Sequence, residues 1–412
     1  MLTIVGANLN GRFVDIQVEA GRIIEISNGL KHRGRVLNAG GGMVTHAYAD
    51  PHLHLDAVLL GAERPNISGT LHEGIANWSE AREALTRGSV KARALRAIEW
   101  CVAQGTTRIR THVDTGSRVG IEALLELRDE VDDICELQVV AFPQEGVFRQ
   151  PGQLDELAWA VRAGVDAVGA IPHFEATRED GQRSILEAFG LAEEHGLQVD
   201  LHCDESDDPE SRFILDVCDY IIKTGFEHHV VAGHCTAMHS YPDDVAERAI
   251  ELIELAQVQV VANPLDNIVL QGRGEGYPKR RGVTRIPELI EAGAPVGVGH
   301  DSIMDPWYPL GRGNMIDAAS MLIHVAQMTS VAEVERVFEM LVRDNHAPFG
   351  GVEEIAVGSS ADLLVHATAS PHEAMRTRQA PLYVIRRGRV VASTIPARSV
   401  VEGNEVNPGR GP

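Results

Sequence analysis

The sequence predicts an α/β protein, with a (β/α)8 barrel of the TIM type and a small β-sandwich-like domain built from both chain ends. Three observations support this fold class. Short apolar runs alternate with amphipathic helical stretches, eight such runs occur, and polar residues follow nearly every run. Strands that alternate with helices of this length imply βαβ units in a parallel sheet, and eight such units suggest a closed barrel.

The eight predicted barrel strands share apolar, β-branched residues and a polar C-terminal end. They span residues 43–56, 106–115, 137–145, 167–175, 197–205, 229–236, 258–264 and 295–302. The helical patterns between them include residues 121–131, 154–165, 184–196, 244–255 and 286–293. In this fold the C-terminal ends of the strands carry the chemistry, so the polar ends predict a functional site at one barrel mouth.

The two ends of the chain differ from the barrel, since residues 1–45 and 352–412 read as short alternating strands with Gly turns. Neither end alone is expected to bury a full core. We therefore predict one small β domain from residues 1–45 and 352–412 together, and a barrel from residues 46–351. The stretch 57–80 is long and contains Gly and Asn, and we expect it to cover the barrel mouth.

Composition and charge narrow the possible partners. The 412 residues include 37 basic and 59 acidic side chains, a formal charge of −22, which disfavours nucleic acid and anionic membranes. No apolar run approaches the roughly 18 residues of a membrane span, and no secretory signal is visible, so we expect a cytoplasmic protein. The five scattered cysteines form no CxxC pair, which fits reduced thiols in that compartment.

Histidines and an aspartate at the strand ends indicate a metal site. His52 and His54 lie two residues apart, so strand alternation puts both side chains on one face, the barrel interior. Neutral imidazoles that converge in this way bind a divalent metal. His202, His234 and Asp301 end the fifth, sixth and eighth predicted strands. This convergence at one mouth favours a metal site over histidines that only pack in the core.

A longer set of motifs runs in order along the barrel and into the C-terminal flank: PHLHLD, RTHVD, VAFPQEG, IPHFEATRE, DLHCDE, GHCTAMHSY, VANPLDNIVLQGR, YPKRRG, GHDSIMDPWYPLG and IRRGRVVASTIPA. Together these motifs resemble the bacterial cytosine deaminases of the amidohydrolase superfamily. HxH with an aspartate after strand eight marks only the superfamily, whereas PQEG, HCDE, TAMHSY and DPWYPLG in this order are more specific.

The resemblance implies hydrolytic deamination of a cytosine-type base, with a role for each site residue. By position, the implied metal ligands are His52, His54, His202 and Asp301, the proton-shuttling acid is Glu205, the histidine near the metal water is His234, the residue that reads the pyrimidine edge is Gln144, and a further pocket residue is Trp307. It also implies a small nucleobase as the substrate and a homo-oligomeric assembly.

The expected number of metal ions follows from a missing residue. Many two-metal members of the superfamily bridge their ions with a modified lysine near strand four, but no lysine occurs between Lys91 and Lys223. We therefore expect one divalent ion per subunit, Fe²⁺ or Zn²⁺.

In such a site the pKa of water falls from about 16 to about 7. Asp301 is expected to accept the water's proton, and Glu205 to protonate ring N3 and the departing ammonia.

One residue departs from the family pattern. The familiar cytosine deaminases carry a second aspartate after the metal aspartate, whereas this chain has Ser302. The resemblance places that side chain beside the C4–C5 edge of the base. The shorter, uncharged side chain suggests a pocket that admits a C5 substituent, so 5-methylcytosine is a predicted substrate with cytosine; alternatively, water fills the gap. A methyl group in such a gap changes selectivity by about 10- to 200-fold.

Other functions fit parts of the pattern. The same barrel serves cyclic amide or lactone hydrolases and deaminases of other heterocycles, such as isoguanine or creatinine. Gln144, Glu205 and Trp307 favour a flat heteroaromatic substrate, and ammonia release separates the classes. A non-catalytic metal-binding scaffold is disfavoured, because the chain keeps the full ligand set and the proton shuttle. The deaminase lineage with an HxE…PCxxC signature is excluded, since no CxxC occurs.

Overall fold

The structure is a computed structural model that describes residues 1–396, 399–401 and 404–406. Its strands are β1 (Leu2–Leu9), β2 (Arg12–Glu19), β3 (Arg22–Ser27), β4 (Arg35–Asn38), β5 (Val44–His46), β6 (Tyr48–Leu53), β7 (Thr106–Asp114), β8 (Glu136–Phe142), β9 (Ala167–Val168), β10 (Gln198–Cys203), β11 (Val230–His234), β12 (Gln259–Ala262), β13 (Val296–Val298), β14 (Leu363–Val365), β15 (Tyr383–Arg386), β16 (Arg389–Ser393), β17 (Ser399–Val401) and β18 (Asn404–Val406). Its α-helices are α1 (Leu71–Glu83), α2 (Arg87–Ala103), α3 (Arg118–Val131), α4 (Gln153–Ala163), α5 (Arg178–His195), α6 (Phe213–Thr224), α7 (Asp243–Ala256), α8 (Pro264–Leu270), α9 (Ile286–Glu291), α10 (Met315–Val325), α11 (Val331–Val342) and α12 (Pro371–Thr377).

Strands β6 to β13 form one parallel sheet in which each strand pairs with its neighbours in the sequence. The first and last of these strands meet at a bridge between Leu53 and Asp301. There the N–H of His54 donates to the Asp301 carbonyl at 3.2 Å, and the N–H of Asp301 donates to the His52 carbonyl at 2.9 Å. This contact closes the predicted (β/α)8 barrel and brings Asp301 beside the two histidines.

All eight predicted barrel strands and all five predicted helices are present, but the strand bounds differ from the prediction, most of all at the first and fourth strands. The first predicted strand, 43–56, is split, because Val44–His46 pairs with β14 in a small sheet and only Tyr48–Leu53 enters the barrel. The fourth, 167–175, ends at Val168, and the chain then turns into a 3₁₀ helix at Pro172. Proline lacks the N–H that a ladder needs, so the strand stops before it.

Two four-stranded sheets accompany the barrel, with strand orders β3-β2-β1-β4 and β16-β15-β14-β5, and β17 pairs with β18 in a further sheet. The two four-stranded sheets share one hydrophobic cluster that includes Ile4, Ile16, Leu363 and Ile385, so both chain ends contribute to one core. The predicted β unit from both ends is therefore present, while its bounds at residues 45 and 352 stay a prediction. Of the predicted segment 352–412, residues 397–398, 402–403 and 407–412 lie outside the described residues.

The stretch expected to cover the barrel mouth contains most of α1. Trp78 Nε1 donates to Asp114 Oδ2 at 3.0 Å, and Arg82 donates to the same oxygen at 2.7 Å. Arg82 also lies 3.3 Å from a carboxylate oxygen of Glu145. These bonds tie α1 to the C-terminal ends of β7 and β8, and Leu71 at its start lines the cavity at the mouth.

Two further observations concern the cysteines and the possibility of a membrane-spanning helix. All five cysteines are buried and unbonded, which agrees with the expected reduced thiols. Within the described part of the chain, no helix has both the length and the apolar character needed to span a bilayer.

Candidate active site

Three imidazoles and one carboxylate meet at the C-terminal mouth of the barrel. His52 lies in β6, His54 directly follows it, His202 lies in β10, and Asp301 follows β13. The Nε2 atoms of His54 and His202 are 3.1 Å apart. Asp301 Oδ1 lies 3.4 Å from Nε2 of His54 and 3.6 Å from Nε2 of His52. The four predicted metal ligands are therefore brought together.

This arrangement fits a divalent metal ion. In a tetrahedral site with metal–nitrogen bonds of about 2.0–2.1 Å, ligand atoms lie about 3.3 Å apart, close to the distances above. Nε2 of His52, which faces Asp301, is buried without a hydrogen-bond partner among the described residues. A buried nitrogen without a partner needs an explanation, and an ion supplies one. The histidine–aspartate cluster can hold such an ion.

Burial sets the protonation of these groups. Desolvation lowers the pKa of His52 and His202 well below the usual range, and lowers the pKa of His54 to about 4. The imidazoles are therefore neutral at pH 7 and keep the lone pairs that a metal needs. Desolvation also raises the pKa of Asp301 to about 7. A nearby cation would shift that pKa down again, because it favours the charged carboxylate.

Glu205 and His234 lie at the same mouth. His234 Nδ1 is 3.5 Å from Glu205 Oε1 and 3.9 Å from Asp301 Oδ2. The side-chain nitrogen of Asn267 lies 3.1 Å from the same ring nitrogen. Burial, followed by the charge of Asp301, raises the pKa of Glu205 well above its usual value. This shift favours the protonated form of Glu205, which is the form that can deliver a proton to a substrate.

The backbone is unusual at two of the strand ends. His234 and Asp301 each have a φ of 69°, in the left-handed region that residues other than glycine seldom adopt. The interior is also crowded, since a Cβ at Gly233 would lie 2.9 Å from Cε1 of His52. Strained backbone of this kind persists where the surrounding structure holds it, and it clusters at functional sites.

One cavity joins the ligand cluster to the predicted substrate residues. Gln144, Ser302 and Trp307 all line it, together with Leu71 and Leu270. The side-chain amide of Gln144 makes no hydrogen bond within the described residues, so it is free to bind a ligand. The cavity combines apolar walls with a few polar groups, which is typical of sites for small heterocycles.

The indole of Trp307 is held from two sides. The backbone N–H groups of Trp307 and Tyr308 donate to Asp305 Oδ1 at 2.9 and 3.0 Å. The ring centroid of Trp307 lies 6.0 Å from that of Trp78 in α1 and 6.2 Å from that of His54. A fixed aromatic plane beside the ligand cluster suits a flat ring as the substrate.

Asp266 is a site residue that sequence reasoning missed. It lies in the first turn of α8, directly after β12, and lines the cavity. Ser302 Oγ donates to Asp266 Oδ2 at 2.6 Å. The sequence signal was a polar residue just after the seventh strand, the same signal that marked the ligands. A carboxyl group therefore lies beside Ser302 in that wall, and the room for a C5 substituent stays a prediction.

His112 is a second residue to which the sequence assigned no role. Its ring centroid lies 4.1 Å from that of His52, and its Nε2 lies 3.1 Å from Asp200 Oδ1. The other oxygen of Asp200 accepts a hydrogen bond at 3.0 Å from Arg110, which is fully buried. This buried network packs against His52, one of the predicted metal ligands. Its sequence signal was a histidine at the end of the second strand.

Metal-capable ligands at the C-terminal mouth of a TIM-type barrel, with a buried proton donor beside them, are the arrangement of metal-dependent hydrolases. Comparison with known families agrees with that class. The chain belongs to the Amidohydrolase family, whose model matches residues 84–392. Members of this family use a divalent metal, which the cluster described above can hold.

Three relatives illustrate the range of similar proteins. The structure resembles the crystal structure of 5-methylcytosine deaminase from Klebsiella pneumoniae liganded with 5-fluorocytosine, with a TM-score of 0.92 and 34% identity over 98% of this chain and 100% of that one. Pterin deaminase from Rhizobium rhizogenes is 28% identical over 370 residues, 86% of this chain and 82% of that protein. N-isopropylammelide isopropyl amidohydrolase from a Pseudomonas species is 26% identical over 396 residues, 92% of this chain and 93% of that protein.

Proposed function

We propose that this protein hydrolytically deaminates a cytosine-type base, cytosine or 5-methylcytosine, to uracil or thymine and ammonia, with one Fe²⁺ or Zn²⁺ per subunit. The carrying observation is the single cavity that Gln144, Glu205, Ser302 and Trp307 share with the metal-capable residues. The similarity to 5-methylcytosine deaminase over the whole of that chain supports the same substrate class.

Each residue of the site has its own role in the proposed reaction. The ion is held by His52, His54, His202 and Asp301. When bound, it supplies the Lewis acidity that makes water nucleophilic at neutral pH. Asp301 accepts a proton from the attacking water, and His234, 3.9 Å from it, stabilises the charge.

Glu205 supplies the acid of the reaction. Burial favours its protonated form, and Glu205 delivers a proton to the ring nitrogen beside the amino-bearing carbon, which makes that carbon electrophilic, and then to the departing ammonia. The amide of Gln144 binds the polar edge of the base, and Trp307 packs on its ring. Ser302 leaves room for a methyl group at C5.

Other substrates remain candidates, and the relatives name two of them. A pterin and an N-alkylated ammelide are substrates of similar proteins, and isoguanine and creatinine fit the same chemistry. A cyclic amide or lactone hydrolase would use the same ligands but release no ammonia. Ammonia release from a panel of these compounds separates the possibilities.

The test uses purified protein loaded with Fe²⁺ or Zn²⁺ and a kcat/KM for each compound. We expect the highest values for cytosine and 5-methylcytosine. A second measurement uses the variant Asp301→Asn. We expect it to bind less metal and to have a kcat reduced by about a hundredfold or more, because the substitution removes both a ligand and the base. Ring opening without ammonia release, or a clear preference for a pterin or triazine, would contradict the proposal of a cytosine-type substrate.

A further inference from the structure

Within the described part of the chain, the helix α1 makes all of its side-chain hydrogen bonds to the barrel through two acids. Trp78 and Arg82 donate to Asp114 Oδ2 at 3.0 and 2.7 Å. Ser79 and Arg82 donate to Glu145 at 2.8 and 3.3 Å. Asp114 ends β7, and Glu145 follows β8. Of the three donors, Arg82 reaches both acids, so it joins α1 to two strand ends at once.

The guanidinium of Arg82 is closely enclosed by its partners. Its side chain is 15% exposed, and the side chains of Asp114 and Glu145 are 3% and 16% exposed. A Cβ at Gly116 would lie 2.5 Å from Nη1 of Arg82, so the lack of a side chain there leaves room for the guanidinium. Charged hydrogen bonds that are shielded from water in this way are stronger than those at an exposed surface.

The inner face of α1 packs on the aromatic wall of the cavity. Trp78 and Trp307 belong to one small apolar cluster with Leu270, separate from the barrel core. The two indole centroids are 6.0 Å apart, and a Cβ at Gly74 would lie 2.7 Å from Cδ1 of Trp307. Trp307 and Leu270 both line the cavity. The orientation of the Trp307 ring therefore depends on where α1 lies.

The acid Glu145 lies directly beside the residue proposed to bind the polar edge of the base. It follows Gln144, which lines the cavity. The turn that contains both residues is tight, since the N–H of Gly146 donates to the carbonyl of Pro143 at 2.8 Å. A shift of Glu145 is therefore passed along the backbone to Gln144.

We propose that Arg82 is a positioning residue for the substrate: it fixes α1 and the loop after β8, and thereby the spacing between Trp307 and Gln144. This inference rests on the proposed function. Contacts to the face and to the polar edge of the base are made in the bound substrate and in the transition state alike. Their loss therefore weakens binding without slowing the bound substrate. Contacts that are held in place beforehand also avoid the cost of ordering side chains on binding.

The test measures kcat and KM for ammonia release by zinc-loaded protein, from cytosine or 5-methylcytosine, whichever the wild type prefers. Arg82→Met keeps the length of the side chain and removes its charge and donors. Arg82→Lys keeps the charge, but its single nitrogen cannot make the same forked contact. Glu145→Gln removes the ion pair from the other side. The matched control is Arg87→Met, because Arg87 on α2 also pairs with two acids, Glu122 and Glu126, but is 53% exposed.

In Arg82→Met we expect KM to rise by about tenfold or more, since stacking of a base on an aromatic ring changes affinity by about that factor. We expect kcat to change by less than about threefold and the zinc content to stay at the wild-type level. Arg82→Lys should recover part of the affinity, Glu145→Gln should raise KM by about threefold, and Arg87→Met should match the wild type. Calorimetric titration with the product, uracil or thymine, should rank the Kd values in the same order.

An Arg82→Met protein with wild-type KM overturns the inference. So does one in which kcat falls as far as kcat/KM, because the residue would then act on the chemical step. If Arg82→Met does not fold and binds no zinc, an unchanged KM in Glu145→Gln overturns the inference instead. In all these cases the wild-type protein still releases ammonia, and the proposed function stands. A wild-type protein that releases ammonia from neither base contradicts the proposed function, and the inference falls with it.

Discussion

At the scale of single residues, burial has opposite effects on the acids and the imidazoles of the site. The same desolvation that raises the pKa of Glu205 lowers the pKa of His52 and His202. Each group is pushed toward its neutral form. Burial in one pocket therefore favours both a protonated Glu205 and neutral imidazoles, the forms that the proposed reaction and a metal ion need.

The role of Glu205 leads to the first prediction at this scale. Glu205→Gln keeps the size of the side chain but cannot transfer a proton. We expect kcat to fall by about 10²- to 10⁴-fold, while metal content by elemental analysis stays unchanged. Glu210→Gln, which alters an exposed carboxyl in the same loop, is the control and should keep wild-type kcat. A Glu205→Gln variant with wild-type turnover would remove the proton shuttle from the mechanism.

At the scale of elements, the ends of the barrel strands and the helices that follow them are fastened together by buried acids. Asp204 shows this best. Its Oδ1 accepts hydrogen bonds from the N–H of Phe213 at 2.9 Å and from Ser211 Oγ at 2.7 Å, and its Oδ2 accepts one from the N–H of Ile214 at 2.9 Å. A single carboxylate thus joins the end of β10 to the start of α6. Because Glu205 is the next residue, the same bonds position the proton shuttle.

This junction gives the second prediction. Asp204→Ala leaves several buried donors unpaired at once, so we expect the free energy of unfolding to fall by about 3 kcal/mol or more. Asp204→Asn keeps one acceptor oxygen and should lose less. Urea unfolding at constant m-value measures both changes. A loss of under about 1 kcal/mol in Asp204→Ala would show that the loop holds its position without this carboxylate.

At the scale of the whole molecule, buried histidines lie where the barrel meets the small sheets. His346 Nε2 lies 2.8 Å from the carbonyl of Ala47, between β5 and β6. His366 Nε2 lies 2.8 Å from Thr45 Oγ1 in β5. Desolvation lowers the pKa of each of these histidines to about 3. Both imidazoles are therefore neutral in the folded protein over a pH range in which the unfolded chain takes up protons.

The sign of the pH dependence follows from these shifts and gives the third prediction. In the folded protein the pKa of each of these two histidines lies below the unfolded value of about 6.5. The free energy of unfolding is therefore not reduced by their titration above pH 6.5, and it falls as the pH drops from 6.5 toward 3, because the unfolded chain takes up protons that the folded protein does not. Within that window we expect each histidine to lower the free energy of unfolding by about 1.4 kcal/mol per pH unit.

The measurement compares wild type with His366→Asn in urea unfolding at pH 7, 6, 5 and 4. Asparagine keeps a polar group beside Thr45 but does not titrate, so the variant should show the shallower pH dependence. The ligand histidines titrate equally in both proteins and cancel from the difference. Parallel pH profiles would contradict the lowered pKa of His366.

The local pattern of the sequence determined much of the architecture and of the ligand set. Alternating strand and helix periods are properties of neighbouring residues, and they predicted the eight strands and the helices between them. The predicted ligands His52, His54 and His202 were chosen because they lie at predicted strand ends, because alternation puts His52 and His54 on one face, and because they match the ligand positions of the family that the motifs resemble. Asp301 was identified in the same way, although its contact with the first strand depends on closure of the barrel.

Only the tertiary structure decided how groups from different strand ends pair. The bond between Ser302 and Asp266, the ring contact between His112 and His52 and the hydrogen bond from Arg110 to Asp200 each join residues far apart in the sequence. The periodicity of apolar residues predicts which face of a strand or helix a side chain occupies. It does not predict how far one loop lies from the next. Those distances follow from how the closed barrel packs its loops, and in this protein they place the carboxyl of Asp266 beside Ser302.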